Sequence, residues 1–410
     1  MPQFSPMAQK SVRTAQNAPV PMLDFRRQYA GLRDEMLTRI TAVCDSQQFV
    51  LGPEVEQFER AAAEKCDARF GVGCSSGTDA LWLALVAAGV QPGDQVITSP
   101  FSFFASVSSI LRAGAKPLLA DIDPRTYNLD IAQVSDLLRR TRKRVAAIMP
   151  VHLYGQCADV NALEKLREPF RGARTRFDFK IVEDAAQAFG ARWVGRTAGS
   201  LGDVAAFSFY PTKNISCYGD GGLVTTNDAK MAEHLKSLRA HGMVRRYFHD
   251  EVGWNCRLDS IQAAVLNVKL KYIDEWTRRR REVAALYDDL FEQAGIAIPL
   301  EAAARQNPGV VLPWVDPRGM HVFHQYVVRV GDGRRDELRD HLRKRGIASE
   351  VYYPVPLHRQ KALKFLDYKA GDFPVAERAA RKVLALPIFP EITPLEQERV
   401  VDAVAEFFRG

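Results

Sequence analysis

The chain has 410 residues, of which 47% are apolar and 26% are charged, and its formal net charge is +7. This composition is typical of a globular protein and excludes a disordered or fibrous chain. No apolar run approaches the roughly 20 residues needed to cross a bilayer. Residues 1–20 also lack the apolar stretch of a secretory signal. We therefore expect a cytoplasmic protein with no membrane partner and a flexible tail over residues 1–20.

The distribution of charge and cysteine excludes two further classes of protein. Basic residues are spread along the chain, apart from a run of four arginines at 278–281 that lies in a helical pattern. We interpret this run as a solvated helix face, so we expect no nucleic-acid partner. The six cysteines include no C-x-x-C pair and no cluster with histidine, which predicts reduced thiols and no metal site.

Short β-rich runs alternate with helical patterns through the middle of the chain. Helices are predicted over residues 78–88, 104–113, 159–167 and 228–241. The strands between them are predicted in QVITSP, KPLLADID, VAAIMPVHLYG, KIVEDAAQAFG and VAAFSFYP. This alternation predicts a mostly parallel sheet with helices on both faces. Ligands of such sheets bind at the carboxyl ends of the strands.

The pattern changes after Trp276. A helical pattern over residues 260–294 is longer than a typical globular helix, which leaves open whether that helix is broken. A strand in HVFHQYVVRV, a helix, a strand in SEVYYPVPL and a final helix from Pro394 follow. We therefore expect a large domain over residues 21–290 and a smaller α+β domain over residues 291–410.

Two segments place polar residues at predicted strand ends. Lys213 lies in the turn after the strand that ends FSFY, where a lysine is ordinarily a solvated surface residue. Asp184 ends another strand, and a carboxylate there can keep a pyridine nitrogen protonated. A helix N-cap would also account for Asp184. Gln187 could complete a capping box or contact a ring oxygen, and spacing alone leaves both readings open.

Two further segments could hold a planar phosphate ester. The loop GCSSGTDAL opens a helix, so its backbone N–H groups and the Thr78 hydroxyl could bind a phosphate. The same pattern is also typical of an ordinary glycine-containing helix cap. Phe103 follows a third strand and could stack on a planar ring or pack in the core. Each signal is modest alone, but their order along the chain is specific.

The chain resembles the DegT/DnrJ/EryC1/StrS family of sugar aminotransferases from about Met22 to its end. The resemblance includes the segments SSGTDAL, DIDPRTYNLD, PVHLYGQCADV, VEDAAQAFGA, FSFYPTKN, YGDGG, GWNCRLDSIQAAVL and YYPVPLH. It implies the aspartate-aminotransferase fold of pyridoxal 5′-phosphate (PLP) enzymes, fold type I. That fold has a large three-layer α/β/α domain with a mostly parallel sheet and a smaller C-terminal α+β domain.

The resemblance implies roles for individual residues by position. Lys213 matches the lysine that carries PLP as a Schiff base, and Asp184 matches the partner of the ring nitrogen. Five further positions match residues that hold the cofactor: Gly77, Thr78 and Ser208 at the phosphate, Phe103 on the ring face and Gln187 at the ring oxygen.

Other positions imply a second subunit and a sugar pocket. Asn255 matches a residue that reaches the cofactor phosphate of a neighbouring subunit, and Arg257 matches one near the partner's substrate site. A homodimer with shared active sites is therefore implied. The sugar pocket is implied at His324, Tyr352, Tyr353 and His358.

The resemblance also bears on the reaction. It implies transfer of an amino group from an amino acid, L-glutamate, to a nucleotide-linked keto-sugar. One branch of the family has histidine at the lysine position and dehydrates sugars, so Lys213 favours transamination. HGMVRRYFHDEVGWNCRLDS favours a 3-keto substrate, with a 4-keto sugar as the alternative. A regulatory protein without catalysis on the same fold is a further alternative, and UDP, dTDP and GDP are equally compatible with the sequence.

Overall fold

The computed structural model describes residues 18–168, 178–300 and 309–410. The predicted tail over residues 1–20 therefore lies almost wholly outside the described residues. Its last residue departs from that prediction, because Val20 is buried and forms a β-bridge with Ile347. Within the described ranges, no helix combines the length and the apolar character that a bilayer span requires.

The first half of the described chain begins with two helices and then alternates strands with helices. In chain order these elements are α1 (Phe25–Ser46), α2 (Pro53–Lys65), β1 (Phe70–Cys74), α3 (Gly77–Ala87), β2 (Gln95–Thr98), α4 (Ala105–Arg112), β3 (Lys116–Leu119), α5 (Ile131–Arg140), β4 (Val145–Met149), α6 (Val160–Arg167) and β5 (Lys180–Asp184). The four helices predicted in the middle of the chain are confirmed at α3, α4 and α6 and at α7 below.

The second half adds the remaining strands and the C-terminal elements. They are β6 (Arg192–Trp193), β7 (Arg196–Thr197), β8 (Val204–Ser208), β9 (Gly222–Thr226), α7 (Ala229–Leu238), β10 (Met243–Arg245), β11 (Phe248–His249), α8 (Ser260–Leu270), α9 (Ile273–Gln293), β12 (Val310–Val311), β13 (Gly319–Met320), β14 (Tyr326–Val330), α10 (Arg335–Lys344), α11 (Pro374–Lys382), β15 (Val383–Leu386) and α12 (Pro394–Arg409). The long helical pattern is thus two helices, α8 and α9.

The central sheet has seven strands in the order β1-β9-β8-β5-β4-β2-β3. Only β9 runs antiparallel to its neighbours in this sheet, so the sheet is mostly parallel as predicted. The carboxyl ends of β2, β5 and β8 therefore meet at one edge. The loops that follow these strands carry Phe103, the turn after Asp184, and Lys213.

Side chains of the central strands alternate between two apolar layers, since successive residues of a strand point to opposite faces. In β8, Ala205 and Phe207 pack with α2, α5, α6 and α8, whereas Val204 and Ala206 pack with α3, α4 and α7. Helices therefore cover both faces, which confirms the three-layer α/β/α prediction.

A separate antiparallel sheet, in the order β12-β14-β15, lies in the C-terminal part. It packs with α9, α10, α11 and α12 in an apolar cluster that also includes Phe101 and Leu119 from the central part of the chain. β13 pairs with β6, which gives a further link between the two parts. The division at residues 290 and 291 remains a prediction.

Two predictions for the C-terminal part have opposite outcomes. The final helix begins at Pro394 as predicted, with a capping box between Thr393 and Glu396. The strand predicted in SEVYYPVPL is wrong, because this segment forms only an isolated bridge from Glu350 to Ala385 and then a 3₁₀ turn at Leu357–Arg359. The two tyrosines of this segment line a cavity. Their apolar character therefore reflects the cavity and not a strand.

Candidate active site

A cavity of about 750 Å³ opens at the carboxyl ends of the central strands, within the range usual for small-molecule sites. Ten of the predicted site residues line it: Gly77, Thr78, Phe103, Asp184, Gln187, Ser208, Lys213, His324, Tyr352 and Tyr353. The structure therefore brings together residues that are as much as 276 positions apart in the chain, from Gly77 to Tyr353.

The N-terminus of α3 forms one end of the cavity. Ser76 caps this helix by accepting from the N–H of Asp79, and the N–H groups of the first turn have no acceptor within the helix. A Cβ atom at Gly77 would lie 2.5 Å from Cβ of Ser208. Only glycine therefore allows the helix end and the end of β8 to approach this closely, and together they form a cradle for an anion.

Lys213 lies in the turn after β8, where its N–H donates to the carbonyl of Tyr210. Burial lowers the pKa of the Lys213 amine to about 8, although the charge of Asp184 opposes that shift. Lys213 is half-buried and lines the cavity, so the interpretation of this residue as a solvated surface lysine is wrong. A lysine with this pKa has a sizeable neutral fraction near pH 8, which a nucleophilic amine requires.

Asp184 ends β5 with only 4% of its surface exposed. No α-helix begins directly after it, because residues 185–191 form turns, so the alternatives of an N-cap at Asp184 and a capping box at Gln187 are wrong. Burial raises the pKa of the Asp184 carboxyl above its ordinary value, whereas the Ser106 hydroxyl, the Ala186 N–H and the charge of Lys213 each lower it.

Ser106 is a contact of the carboxylate that sequence reasoning missed. Its Oγ donates to Oδ2 of Asp184 at 2.6 Å, and it lies 2.7 Å from Oγ of Ser102. Because the Ser106 proton is used on the carboxylate, Ser102 is the donor to Ser106. The sequence signal is weak, since a serine in the first turn of a helix is common.

The orientation of the Gln187 amide follows from its hydrogen bonds. Its Oε1 accepts from the N–H of Tyr154 at 2.7 Å, so its Nε2 faces the Tyr353 hydroxyl at 3.1 Å. Nε2 is therefore a donor on the cavity side, where it could contact an anionic ring oxygen. Tyr353 also packs 6.3 Å from the ring of Phe103.

Phe103 is 59% exposed although it is apolar, and it lines the cavity rather than the core. Exposed aromatic rings at a cavity mouth are well placed to stack on a planar ligand. The alternative of core packing for Phe103 is therefore wrong, while it holds for Phe101, which is fully buried.

His324 presents a hydrogen-bond acceptor to the cavity. Asn214 donates from Nδ2 to the carbonyl of Val322, which turns its Oδ1 toward Nδ1 of His324 at 3.1 Å. Nδ1 of His324 must therefore carry the proton. Burial and the positive charges of Lys213 and Arg280 lower the pKa of His324 well below its ordinary value. The imidazole is thus neutral, and Nε2 has a free lone pair.

Three predicted site residues do not line the cavity. Asn255 is exposed and Arg257 half-buried in the segment before α8, as positions facing a second subunit would be. His358 is buried against Phe373, and its Nε2 lies 3.0 Å from Glu377. These two contacts explain the position of His358, so no ligand is needed to explain it.

The residues of this cavity fit PLP. The cradle at Gly77 and Ser208 suits the phosphate, the exposed ring of Phe103 suits the pyridine face, and the buried carboxylate of Asp184 suits the ring nitrogen. Lys213 lines the same cavity, and its amine has a lowered pKa. These groups come from different strand ends, and a cofactor that needs all of them explains why they converge.

Comparison with known proteins identifies the family. The model of the DegT/DnrJ/EryC1/StrS aminotransferase family matches residues 31–405. The crystal structure of S. venezuelae DesV in complex with a ketimine intermediate superposes with a TM-score of 0.86 and 42% identity, over 96% of this chain and 99% of that chain. This match confirms fold type I of PLP enzymes.

Three relatives of known name align over nearly the whole chain. A pleiotropic regulatory protein of Geobacillus stearothermophilus is 45% identical over 95% of this chain and 99% of its own length. The dTDP-3-amino-3,4,6-trideoxy-alpha-D-glucose transaminase of Streptomyces venezuelae is 42% identical, over 96% and 97%. The UDP-N-acetyl-3-dehydro-alpha-D-glucosamine 3-aminotransferase of Acidithiobacillus ferrooxidans is 38% identical, over 96% and 100%. The chain therefore belongs to the DegT/DnrJ/EryC1/StrS aminotransferase family, and it is a PLP-dependent aminotransferase.

Proposed function

We propose that this aminotransferase moves an amino group from L-glutamate to carbon 3 of a nucleotide-linked keto-sugar. The observation that carries the proposal is the Lys213 amine, which lies in one cavity with the buried carboxylate of Asp184 and the anion cradle at Gly77. When bound, PLP supplies an electron sink for the negative charge that develops at the reacting carbon.

Lys213 moves the proton in this proposal. With a pKa of about 8, its released amine can take a proton from the α-carbon of the donor amino acid near neutral pH. The same Nζ then returns a proton at the carbon that receives nitrogen in the sugar. Because both half-reactions use this one amine, its loss stops both.

Asp184 would keep the ring nitrogen of bound PLP protonated. Its Oδ2 accepts from Ser106, and Oδ1 accepts a longer bond of 3.3 Å from the Ala186 N–H. These bonds favour the charged carboxylate over the neutral acid, which offsets part of the cost of its burial. A charged Asp184 in turn favours a protonated pyridine.

The part of the lining that comes from the C-terminal segments suits a sugar. His324 offers an acceptor at Nε2, and the hydroxyl of Tyr352 and the amide of Gln325 also line the cavity. Sugar hydroxyls are donors as well as acceptors, so a mixed polar surface of this kind can orient a pyranose ring.

The choice of carbon 3 rests on relatives. Two that act on 3-amino or 3-keto nucleotide sugars align over nearly the whole chain, and they differ in the nucleotide, dTDP in one and UDP in the other. A 4-keto sugar remains the alternative. The experiment is to mix the PLP form with glutamate and a panel of 3-keto and 4-keto nucleotide sugars and to identify the aminated product by NMR.

A homodimer is the assembly that we propose. The large apolar side chains that are exposed in the single chain include Phe49, Val50, Tyr210, Tyr218 and Trp254. Tyr210 lines the cavity, and Trp254 comes directly before the exposed Asn255 and close to the half-buried Arg257. Scattered exposed apolar residues are ordinary, but exposed rings at the cavity and next to Asn255 favour an interface there.

Subunit complementation tests the dimer. If Arg257 serves the partner's site, an inactive Lys213→Ala chain mixed with an inactive Arg257→Ala chain regains about a quarter of the parental sites, since half the dimers are mixed and each has one intact site. Sites confined to one chain would give no recovery. Sedimentation of the parent protein should also give twice the mass of one chain.

A regulatory role in addition to catalysis is the second candidate, because one relative is named as a regulatory protein. Absorbance tests the catalytic part of this account. A bound yellow chromophore that shifts when glutamate is added supports the enzyme, whereas a protein that takes up no PLP would contradict it.

The six cysteines are unpaired, in keeping with a cytoplasmic location, which we also propose.

A further inference from the structure

The run of four arginines does not act as one surface. Arg278 and Arg279 are exposed and form ion pairs with Glu275 on the same helix. Arg280 turns inward, is only 6% exposed and lines the active-site cavity. The interpretation of the run as a solvated face is therefore wrong for Arg280.

Arg280 is held by carbonyl groups rather than by a carboxylate. Its Nη1 donates to the carbonyl oxygens of Phe323 at 3.2 Å and Ile388 at 3.0 Å. Its buried Nε has no hydrogen-bond partner. Both bonds thus use the same nitrogen, which fixes the guanidinium plane and leaves the edge formed by Nε and Nη2 available.

The charge of Arg280 is incompletely balanced. Burial lowers the pKa of Arg280 to about 10, and Glu391 opposes that shift only through its charge, without an ion pair among the described residues. A buried cation with an unpartnered donor is costly, and a bound anion would offset that cost.

The other charges of the cavity narrow the choice of ligand. Asp184 is bound by Ser106, and Glu350 is bound by Arg339 and by the Val351 N–H. Asp220 is a third acidic group in the lining. Arg280 and Lys213 are the cationic residues in the described lining. Arg280 donates to the carbonyl of Phe323, the residue before His324, and both Arg280 and His324 line the cavity together with Lys213.

We propose that the free edge of Arg280 binds the α-carboxylate of the amino-acid donor, an inference that rests on the proposed function. A guanidinium edge and a carboxylate match as a planar bidentate pair. The α-carboxylate is bonded directly to the carbon that loses its proton, so it must lie in the part of the cavity that holds the Lys213 amine. In a nucleotide sugar, by contrast, atoms of the pyranose ring separate the diphosphate from the reacting carbon.

The two half-reactions test this assignment separately by stopped-flow absorbance. In Arg280→Lys, which keeps the charge but loses the bidentate edge, the apparent Kd for glutamate should rise tenfold to a hundredfold. The apparent Kd for the keto-sugar should stay within about twofold. Arg279→Gln removes an exposed arginine from the same helix, so it should leave both half-reactions unchanged and serves as the matched control.

A binding readout independent of turnover uses glutarate, a dicarboxylate without an amino group. Calorimetry should detect glutarate binding to the parent holoprotein and to Arg279→Gln, and should show it at least tenfold weaker with Arg280→Lys. Melting temperatures of the three proteins show whether Arg280→Lys remains folded. The binding comparison needs a folded variant. Arg280→Gln is therefore the second variant to be measured at this position.

Three results would overturn the assignment. Weaker keto-sugar binding with unchanged glutamate binding would assign Arg280 to the diphosphate. Equal losses in both half-reactions would make it a structural link between Phe323 and Ile388. Unchanged glutarate and glutamate binding in folded variants would remove it from substrate binding altogether. If the parent takes no amino group from glutamate, the proposed function fails, and glutarate binding still reports on Arg280.

Discussion

The cavity has two walls that differ in origin and chemistry. The strand-end wall consists of Gly77, Asp184, Ser208 and Lys213. The second set, which we call the facing wall, is defined by its origin in α9 and the C-terminal segments, and it consists of Arg280, His324, Tyr352 and Tyr353. The fold itself places the first set, because parallel strand ends and a helix N-terminus converge there. We infer that the strand-end wall performs chemistry common to both half-reactions, whereas the facing wall distinguishes the substrates.

The largest expected effect tests the strand-end wall. Lys213→Ala should lower the rates of both half-reactions at least a thousandfold, because no other amine in the described lining can move the proton. Pyridoxamine phosphate should still bind, since the cradle and Asp184 remain. Stopped-flow absorbance measures both rates. A variant that runs either half-reaction at an appreciable fraction of the parental rate would contradict the assignment of Lys213.

Asp184→Asn should lower both half-reactions about a hundredfold or more, because an amide no longer favours a protonated ring nitrogen. The buried site accepts asparagine without a change of volume, so the melting temperature should stay close to that of the parent. A selective loss in one half-reaction would break the proposed contrast between the walls, since this residue should serve both.

Ser106→Ala should lower both half-reactions about tenfold, as expected when a charged acceptor loses one buried hydrogen bond. The pKa of Asp184 should also rise. A spectroscopic pH titration of the bound cofactor would then show the absorbance change at a higher pH than in the parent. Ser106→Thr keeps the hydroxyl and should restore most of the rate.

A matched control for that serine lies two residues away on the same helix. Ser108 is half-buried, and its side chain forms no hydrogen bond with the described residues. Ser108→Ala should therefore leave the rates and the titration unchanged. If both alanine variants behave alike, the effect comes from the helix and not from the bond to Asp184.

The smallest expected effect is a pH dependence. Because the pKa of Lys213 is lowered to about 8, its neutral amine rises from about a tenth of the population at pH 7 to about nine-tenths at pH 9. Uptake of PLP by the apoprotein should accelerate over that range and then level off. A rate that climbs about eightfold between pH 9 and 10 would indicate a lysine with an ordinary pKa.

The sequence predicts the strand-end wall better than the facing wall, for a physical reason. Glycine at a helix start and polar residues at strand ends are local patterns, so Gly77, Asp184 and Lys213 could be singled out one by one. Their convergence follows from the parallel sheet. The family resemblance added the roles, which remain predictions for individual residues.

The facing wall depends on long-range packing that no local pattern reports. The direction of Arg280 follows from its turn on α9 and from the carbonyls of Phe323 and Ile388, which are more than 40 residues away in the chain. His358 is the reverse case, a residue that the sequence predicts in the site and the structure does not place there. Its motif predicts a sugar contact, but His358 packs against Phe373 and does not line the cavity. Ser106 was missed because serine in a first helical turn has an ordinary explanation.

A second buried lysine makes the central claim testable within the same molecule. Burial lowers the pKa of Lys269 to about 8 as well, but its Nζ bonds to Ser216 and it does not line the cavity. A lowered pKa alone therefore cannot identify the lysine that carries the cofactor. Position in the cavity distinguishes the two.

Reduction of the holoprotein with borohydride, followed by peptide mass mapping, tests this claim most directly. We expect one pyridoxyl adduct per chain on the peptide that contains Lys213, and we expect its loss when glutamate is added before reduction. An adduct on the Lys269 peptide, or a Lys213 peptide that stays unmodified in yellow protein, would contradict the assignment of Lys213 as the residue that holds PLP.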